Sequence, residues 1–469
     1  MPAAILALAL ALRIPTFGDP ALHTDEEFYF LVGQRLLDGQ LPYVDIWDRK
    51  PLGLFLIYAV IAAVSRSVVA YQIAGTLSAA MTAYLITRIV ATRWPAQLMA
   101  AILYLGLLIP LGGFGGQAPV FYNLLIVAAF LLTVRAIPQL DSGKIPHGVY
   151  SAVFLCGLAL TIKQTVIAEA VFLGLFSLAL TRKANPRALP ARFLAFALIG
   201  VFPTAAIGAI YAILGHWAEF YQAMITSNLA KGGYPLETKL TFAKGIAGPL
   251  WFPALLAVAG LLVVSNSRIR LLLAGWLFVS IAALLLVPNF YWHYGLPLLP
   301  PICCGCAYFF ERRQWMIAVG LIFVAYSLMR TSIFDVEMHQ SSQRNMEELA
   351  QKIDGHSPRS TLLVFDGPVY LYAMSSARPL SPLVLPWHLR EPTEMGVSGR
   401  NTNWEIARIL ANRPGAVTFE HDRWKAGRDN PIARQMVLQY VESRCRPIVR
   451  KTVFESQIPQ RIMLYGDCQ

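Results

Sequence analysis

His23-Thr24-Asp25-Glu26-Glu27-Phe28-Tyr29, running on to Trp47-Asp48-Arg49-Lys50-Pro51-Leu52, is the stretch around which this sequence is organised. It separates an apolar N-terminal segment from the first long hydrophobic region. Of the twelve Asp and Glu in residues 1–330, seven (Asp19, Asp25, Glu26, Glu27, Asp38, Asp45, Asp48) fall within thirty residues. The chain around it is 56% hydrophobic and 14% charged, with a mean hydropathy of +0.52. Soluble proteins carry about a quarter charged residues, so the class is integral membrane protein. An acidic loop at the edge of a bilayer reads as a reaction site.

Apolar runs near the ~20 residues that cross ~30 Å of hydrocarbon lie at 2–14, 68–87, 95–111, 118–136, 148–163, 164–181, 192–214, 247–265, 271–287, 295–310 and 314–330, with a short one at 51–64. The first has neither the basic start nor the small-residue cleavage site of a signal peptide. It is kept as a span, and its shortness leaves room for a true start upstream of Met1. With 51–64 dipping in without crossing, the inner loops hold twelve basic residues (Arg88, Arg93, Arg135, Lys144, Arg182, Lys183, Arg187, Arg192, Arg268, Arg270, Arg312, Arg313). The outer connections beyond the acidic loop hold four: Lys163, Lys231, Lys239 and Lys244. Cytoplasmic loops carry the Lys and Arg excess, so the pattern gives eleven crossings plus a half-membrane segment in a polytopic α-helical protein of the inner (plasma) membrane. The acidic loop and the C-terminal third are then extracytoplasmic.

The net charge of +12 is not gathered on one face. Residues 1–330 carry 22 Lys/Arg against 12 Asp/Glu, and residues 331–469 carry 17 against 15. Membrane orientation accounts for that excess, which speaks against a nucleic-acid partner. Residues 215–246, with Trp217, Phe220, Tyr221 and Tyr234, suit an outer loop lying at the interface. From about 335 the composition changes. Short apolar runs at 361–365, 415–419 and 462–465 alternate with helical spacing at 402–411 and 430–442, a small α/β domain. The chain divides as 1–334, a transmembrane domain with its catalytic outer loop at 15–51, and 335–469, an extracytoplasmic α/β domain.

Cys303, Cys304 and Cys306 flank Gly305 in an apolar run and read as helix packing, without metal-ligand spacing. Cys445 and Cys468 are the pair available for a disulfide if their region is extracytoplasmic. Gly112-Gly113-Phe114-Gly115-Gly116 lacks the spacing of a dinucleotide fingerprint and reads as a flexible outer turn.

Asp25 and Glu26 follow the first span, where a carboxylate can act as general base on an acceptor held within ~3 Å. The plainer reading is solvated acids favoured by a helix dipole. Arg49 and Lys50 bring fixed positive charge to headgroup depth, where Arg holds a lipid phosphate through two parallel hydrogen bonds. Lys163, between two apolar runs, is a functional candidate by default, against snorkelling to the interface. His293, in Tyr291-Trp292-His293-Tyr294, adds a titratable group on an outer edge. Asp48 is free to pair with Arg49 or Lys50, and Glu169 belongs to a bundle interior. Acids for a nucleophile and bases for a phosphate fit transfer from a lipid phosphate.

These residues resemble a known family. Residues 23–58 are similar to the first outer loop of GT-C glycosyltransferases, in particular the family 39 protein O-mannosyltransferase and aminoarabinose-transferase group. Leu160-Thr161-Ile162-Lys163 and Tyr294-Gly295-Leu296-Pro297-Leu298-Leu299-Pro300 resemble two further stretches of that group. Phe28 stands where aminoarabinose transferases carry Arg, and Leu52 replaces the second proline of Lys-Pro-Pro. The resemblance implies an inverting hexosyl- or pentosyltransferase. It takes a sugar from a polyprenyl-phosphate donor in the membrane lipid and gives it to an acceptor glycan, lipid or protein on the outer face. Asp25 is then the base and Glu26 its neighbour, orienting the acceptor or a metal, while Lys50, Arg49, Lys163 and His293 hold the donor phosphate. Some members of the superfamily use a divalent metal such as Mg or Mn, for which the resemblance offers a weak site at Asp25 and Glu26, while the lysines could do that work without one. The alternative from another class is a lipid-linked or small-molecule flippase or transporter, which would show paired halves with helices broken at the midplane. A third is a scaffold or receptor working through its outer α/β domain. The sequence has no internal repeat.

Overall fold

Apolar runs fold as helices throughout the first 330 residues of the computed structural model, which describes residues 1–421 and 429–469. Six helices are long and apolar enough to cross a membrane: Val68–Ile89, Ala118–Asp141, Gln164–Thr181, Pro186–Ile213, Leu236–Leu262 and Ser267–Leu286. Shorter apolar helices occupy Pro2–Thr16, Leu52–Val64, Trp94–Leu108, His147–Leu160 and Met316–Met329. The chain clusters into two compact units. One is Met1–Ile14, Gln72–Ile210 and Pro235–Ile333; the other is Pro15–Tyr71, Tyr211–Tyr234 and Phe334–Gln469.

In the first unit, small residues let helices touch through their backbones. A Cβ on Gly260 of Leu236–Leu262 would meet the Gly305 carbonyl oxygen of Leu299–Arg312 at 1.9 Å. Cys303, Cys304 and Cys306 are buried along that contact, and the Cys306 thiol donates to the Pro253 carbonyl at 3.1 Å. Trp276 stacks on Phe130 at 3.9 Å. Glu169 is buried and accepts from Ser280 Oγ at 3.2 Å.

The glycine-rich segment 112–116 is not the flexible turn that its composition suggests. All five residues are buried. Arg13, itself 1% exposed, donates to the Gly115 carbonyl at 2.9 Å and to that of Gly113 at 2.5 Å. A guanidinium with five donors can satisfy carbonyls that no helix pairs, and glycine lets the loop press on its neighbour: a Cβ on Gly75 would meet the Gly115 oxygen at 2.6 Å.

In the second unit the acidic loop becomes a helix, Thr24–Leu37, packed on Leu52–Val64. Gly33 sets the approach, since a Cβ there would meet the Tyr58 backbone at 2.6 Å. Phe28, Tyr29 and Phe30 are each at most 1% exposed, with ring contacts to Phe55, Tyr58, Tyr71 and Tyr370. At about 1.5–3 kcal/mol for each large apolar side chain fully buried, this cluster fixes the helix firmly.

The C-terminal part of the same unit is a five-stranded sheet of order β2-β1-β3-β5-β4. Its strands are β1 (Thr361–Val364), β2 (Arg378–Pro379), β3 (Ala416–Thr418), β4 (Arg446–Glu455) and β5 (Ile458–Gly466). β1 pairs in parallel with β2 and β3, whereas β5 runs antiparallel to β3 and β4. Side chains of Asp335, Asn401 and Asn430 cap the helices Val336–His356, Thr402–Ala411 and Pro431–Arg444, satisfying first-turn amides. Trp47, from the acidic loop, is a member of this domain's core beside Leu363, Phe365 and Val417, and its amide donates to the Pro382 carbonyl at 3.0 Å.

Cys445 and Cys468 are joined by a disulfide across a separation of 23 residues. By loop-closure entropy, replacing both with Ser is expected to cost about 3 kcal/mol. A fall in the melting temperature of the purified protein, matched in wild type by reductant, checks this.

Candidate functional site

His23 caps the helix Thr24–Leu37, its Nδ1 accepting the Asp25 amide at 3.2 Å. That requires a neutral imidazole. Burial pushes the His23 pKa below its ordinary value, helped by Lys50 and opposed by Asp25. Asp25 stands in the first turn, where the dipole favours an anion. Its Oδ1 is 3.3 Å from Lys50 Nζ, and both side chains keep a little access to solvent, 15% and 16%.

Lys50 is shared. Asp48 accepts its backbone amide at 2.8 Å and its ammonium at 3.3 Å. Burial works against the Lys50 cation, but Asp25 and Asp48 outweigh it and hold its pKa above that of an ordinary lysine. Burial likewise opposes the Asp48 anion, and Lys50, His388 and Arg49 overcome it, so its pKa lies below the usual carboxylate value. The result is a carboxylate–ammonium–carboxylate row, with Asp48 2% and Asp25 15% exposed in their side chains.

The loop's backbone holds this row in place. Tyr43 adopts φ +72°, unusual for a residue with a Cβ. Its hydroxyl donates to the Lys50 carbonyl at 2.9 Å, and Tyr211 donates to the Pro42 carbonyl at 3.0 Å. His388, on the C-terminal helix Pro386–Arg390, places Nε2 3.8 Å from Asp48 Oδ2 and meets the Trp47 ring edge-on at 4.7 Å. Burial, with Arg49, Lys50 and Lys231 nearby, pushes the His388 pKa down to about 3 despite Asp48. Arg49 pairs with Glu394, which also pairs with Lys231 Nζ at 3.3 Å. Lys231, His388 and Glu394 carry no sequence motif; chain topology alone brings them to the loop.

Glu26 is one residue, or 100° of helix, from Asp25, and it is fully buried. Glu27 is also buried, and its pKa is raised well above the usual carboxylate value by burial, with Glu455, Asp19 and Glu26 adding to the effect. A carboxyl with a raised folded pKa contributes stability fully below its unfolded pKa, near 4.5, and loses it as pH rises through the folded value. Glu27→Gln is therefore expected to raise the melting temperature at pH 7–8, with the gain vanishing towards pH 4; a pH series of melting curves checks it.

In the first unit, Lys163 occupies the break between His147–Leu160 and Ile167–Thr181. Its Nζ lies 5.3 Å from the centre of the Tyr294 ring. His293 meets the same ring edge-on at 4.7 Å and stacks on Tyr291 at 5.8 Å. The structure thus gathers Lys163 and His293 around Tyr294 in one unit, and Asp25, Arg49 and Lys50 in the other.

For a divalent cation, His23 and Asp25 offer ligand atoms within 4.8 Å of one another. Imidazole and carboxylate are donors that such ions take. A bound ion would supply Lewis acidity there.

No known family profile and no curated protein matches this sequence. Solved structures do match. The crystal structure of ArnT from Cupriavidus metallidurans bound to undecaprenyl phosphate aligns with a TM-score of 0.63 at 11% identity, covering 99% of this chain and 97% of that one. Its apo state aligns at 0.64 with the same identity and coverage. The chain has the ArnT fold. The likeness runs over nearly the whole of both proteins, taking in the long apolar helices and the small β-containing C-terminal region. At 11% identity, ArnT and this chain share architecture and no inferable residue roles.

Proposed function

We propose that this protein is a membrane glycosyltransferase that moves a sugar from a polyprenyl-phosphate donor to an acceptor by inverting single displacement, with Asp25 as base. The observation that carries the reading is the Asp25 carboxylate at a helix start, 3.3 Å from the Lys50 ammonium and open enough to meet substrate. Support comes from the ArnT fold, since that relative was crystallised bound to undecaprenyl phosphate.

The step balances simply. Asp25 takes the acceptor's proton, the acceptor oxygen or nitrogen bonds to the anomeric carbon, and the carbon–oxygen bond to phosphate breaks, its electron pair leaving with polyprenyl phosphate. Lys50 and Arg49 are assigned to the leaving charge, and Lys163 and His293 are proposed for the same role; fixed cations need no reorganisation as that charge develops. Glu26, next to Asp25 in the first turn of the same helix, is proposed to orient the acceptor or a metal. The reaction is placed on the extracytoplasmic face of the plasma membrane. Mass spectrometry of lipids, surface glycans and secreted proteins with and without this chain tests the reading. A pentose or hexose increment on one of them, lost with the chain, supports it; export of a lipid-linked substrate without covalent product supports a transporter.

A further inference from the structure

His388 stands at the buried end of the row that begins at Asp25. The row runs from Asp25 Oδ1 to Lys50 Nζ to Asp48 Oδ2 in two steps of 3.3 Å, and His388 Nε2 lies 3.8 Å beyond that last oxygen. That distance is longer than a hydrogen bond, so the contact acts as a dipole against a charge. His388 and Asp48 are 4% and 2% exposed in their side chains, and away from water such a contact is screened little. His388 belongs to the C-terminal domain, on the helix Pro386–Arg390, whereas Asp48 and Lys50 belong to the acidic loop.

One placement of the imidazole proton suits this site. A carboxylate accepts hydrogen bonds and donates none, so the nitrogen facing Asp48 carries the hydrogen. Nδ1 is then a bare acceptor, buried with no hydrogen-bond partner among the described residues. An unpaired buried acceptor is tolerated better than an unpaired N–H. With its pKa at about 3, the ring adds no second cation, and Asp48 keeps its charge for Lys50. A histidinium there would compete for the same Oδ2 that the ammonium meets at 3.3 Å. The ring is itself held edge-on against Trp47, whose side chain is part of the C-terminal domain's core.

We propose that His388 is a positioning residue: through Asp48 it sets where the Lys50 ammonium sits, so that the C-terminal domain reaches the group assigned to the leaving phosphate. Partners of this kind, one contact behind the group that meets substrate, hold that group in its productive geometry. This rests on the glycosyltransferase reading and deepens it, giving the C-terminal domain a part in the transfer site.

The test is the affinity of the purified full-length protein in nanodiscs for undecaprenyl phosphate, read by native mass spectrometry on the folded fraction. His388→Phe keeps a ring and loses the N–H, and is expected to bind about tenfold more weakly than wild type. His388→Gln can present an amide N–H to the same oxygen and is expected to bind like wild type. Asp48→Asn is expected to lose about tenfold as well, and adding His388→Phe to it to change nothing more, because the two act along one line. A merely structural histidine would lower the melting temperature without that pattern of rescue and non-additivity. Wild-type affinity in His388→Phe or in Asp48→Asn, a His388→Gln as weak as His388→Phe, or a loss of about a hundredfold in the double variant overturns the proposal. If His388→Phe does not fold, His388→Met, whose side chain adapts to irregular gaps, takes its place under the same criteria. A wild-type protein that binds no undecaprenyl phosphate removes the glycosyltransferase reading and this inference together, whereas normal wild-type binding with indifferent variants removes this inference alone.

Discussion

Asp25→Asn is expected to abolish glycosyl transfer, a fall of about 10²–10⁴-fold, while the protein reaches the membrane in wild-type amount. The substitution keeps the shape of the side chain and leaves the His23 cap and helix start intact. It removes the negative charge paired with Lys50, and with it the group able to accept a proton. A purely structural Asp25 would show its loss as reduced expression or melting temperature. Asp38→Asn is the control: that carboxylate is 37% exposed and pairs with Arg66 on the surface, where ion pairs contribute about 0–1 kcal/mol, so transfer should continue. Activity retained in Asp25→Asn would reject Asp25 as base.

Lys50→Ala is expected to lower kcat/KM by about 10²–10³-fold, the loss of one preorganised group stabilising charge in the transition state. Here stability should fall as well, because Asp48 is 2% exposed in its side chain and loses its ammonium partner. Breaking a buried pair costs about 3–5 kcal/mol, and the low end applies, since Asp48 keeps the residue-50 amide. The two effects separate in the double variant Asp48→Asn/Lys50→Ala. With the buried charge gone, most of the stability should return, and the transfer should not. Recovery of both would make Lys50 a structural partner of Asp48 and nothing more.

How much of this was legible in the sequence depends on what kind of contact is asked about. Hydropathy located the helices, because a span in lipid must satisfy its own backbone and its apolar length shows directly. The small C-terminal elements were visible where periodicity was strong, at 402–411 and around β1 and β3. β4 was not, since its hairpin turns on Ser456 and Gln457, both at positive φ, without the glycine or asparagine that usually announces such a turn. The burial of Gly112–Gly116 was hidden for a similar reason: its partner, Arg13, is about 100 residues away. In the candidate site, the pairing of Asp25 with Lys50 joins two charged clusters prominent in one loop. The anchoring of that loop by Trp47, His388 and Glu394 depends on tertiary contacts with residues more than 300 positions later, for which local sequence carries no signal.

The most direct measurement is the anomeric configuration of the product, read by NMR after the purified protein is given a polyprenyl-phosphate sugar of defined configuration together with its acceptor. A single displacement assisted by one carboxylate base is expected to give complete inversion, with one polyprenyl phosphate released per sugar transferred. Retention of configuration, or consumption of donor without any covalent product, would contradict it.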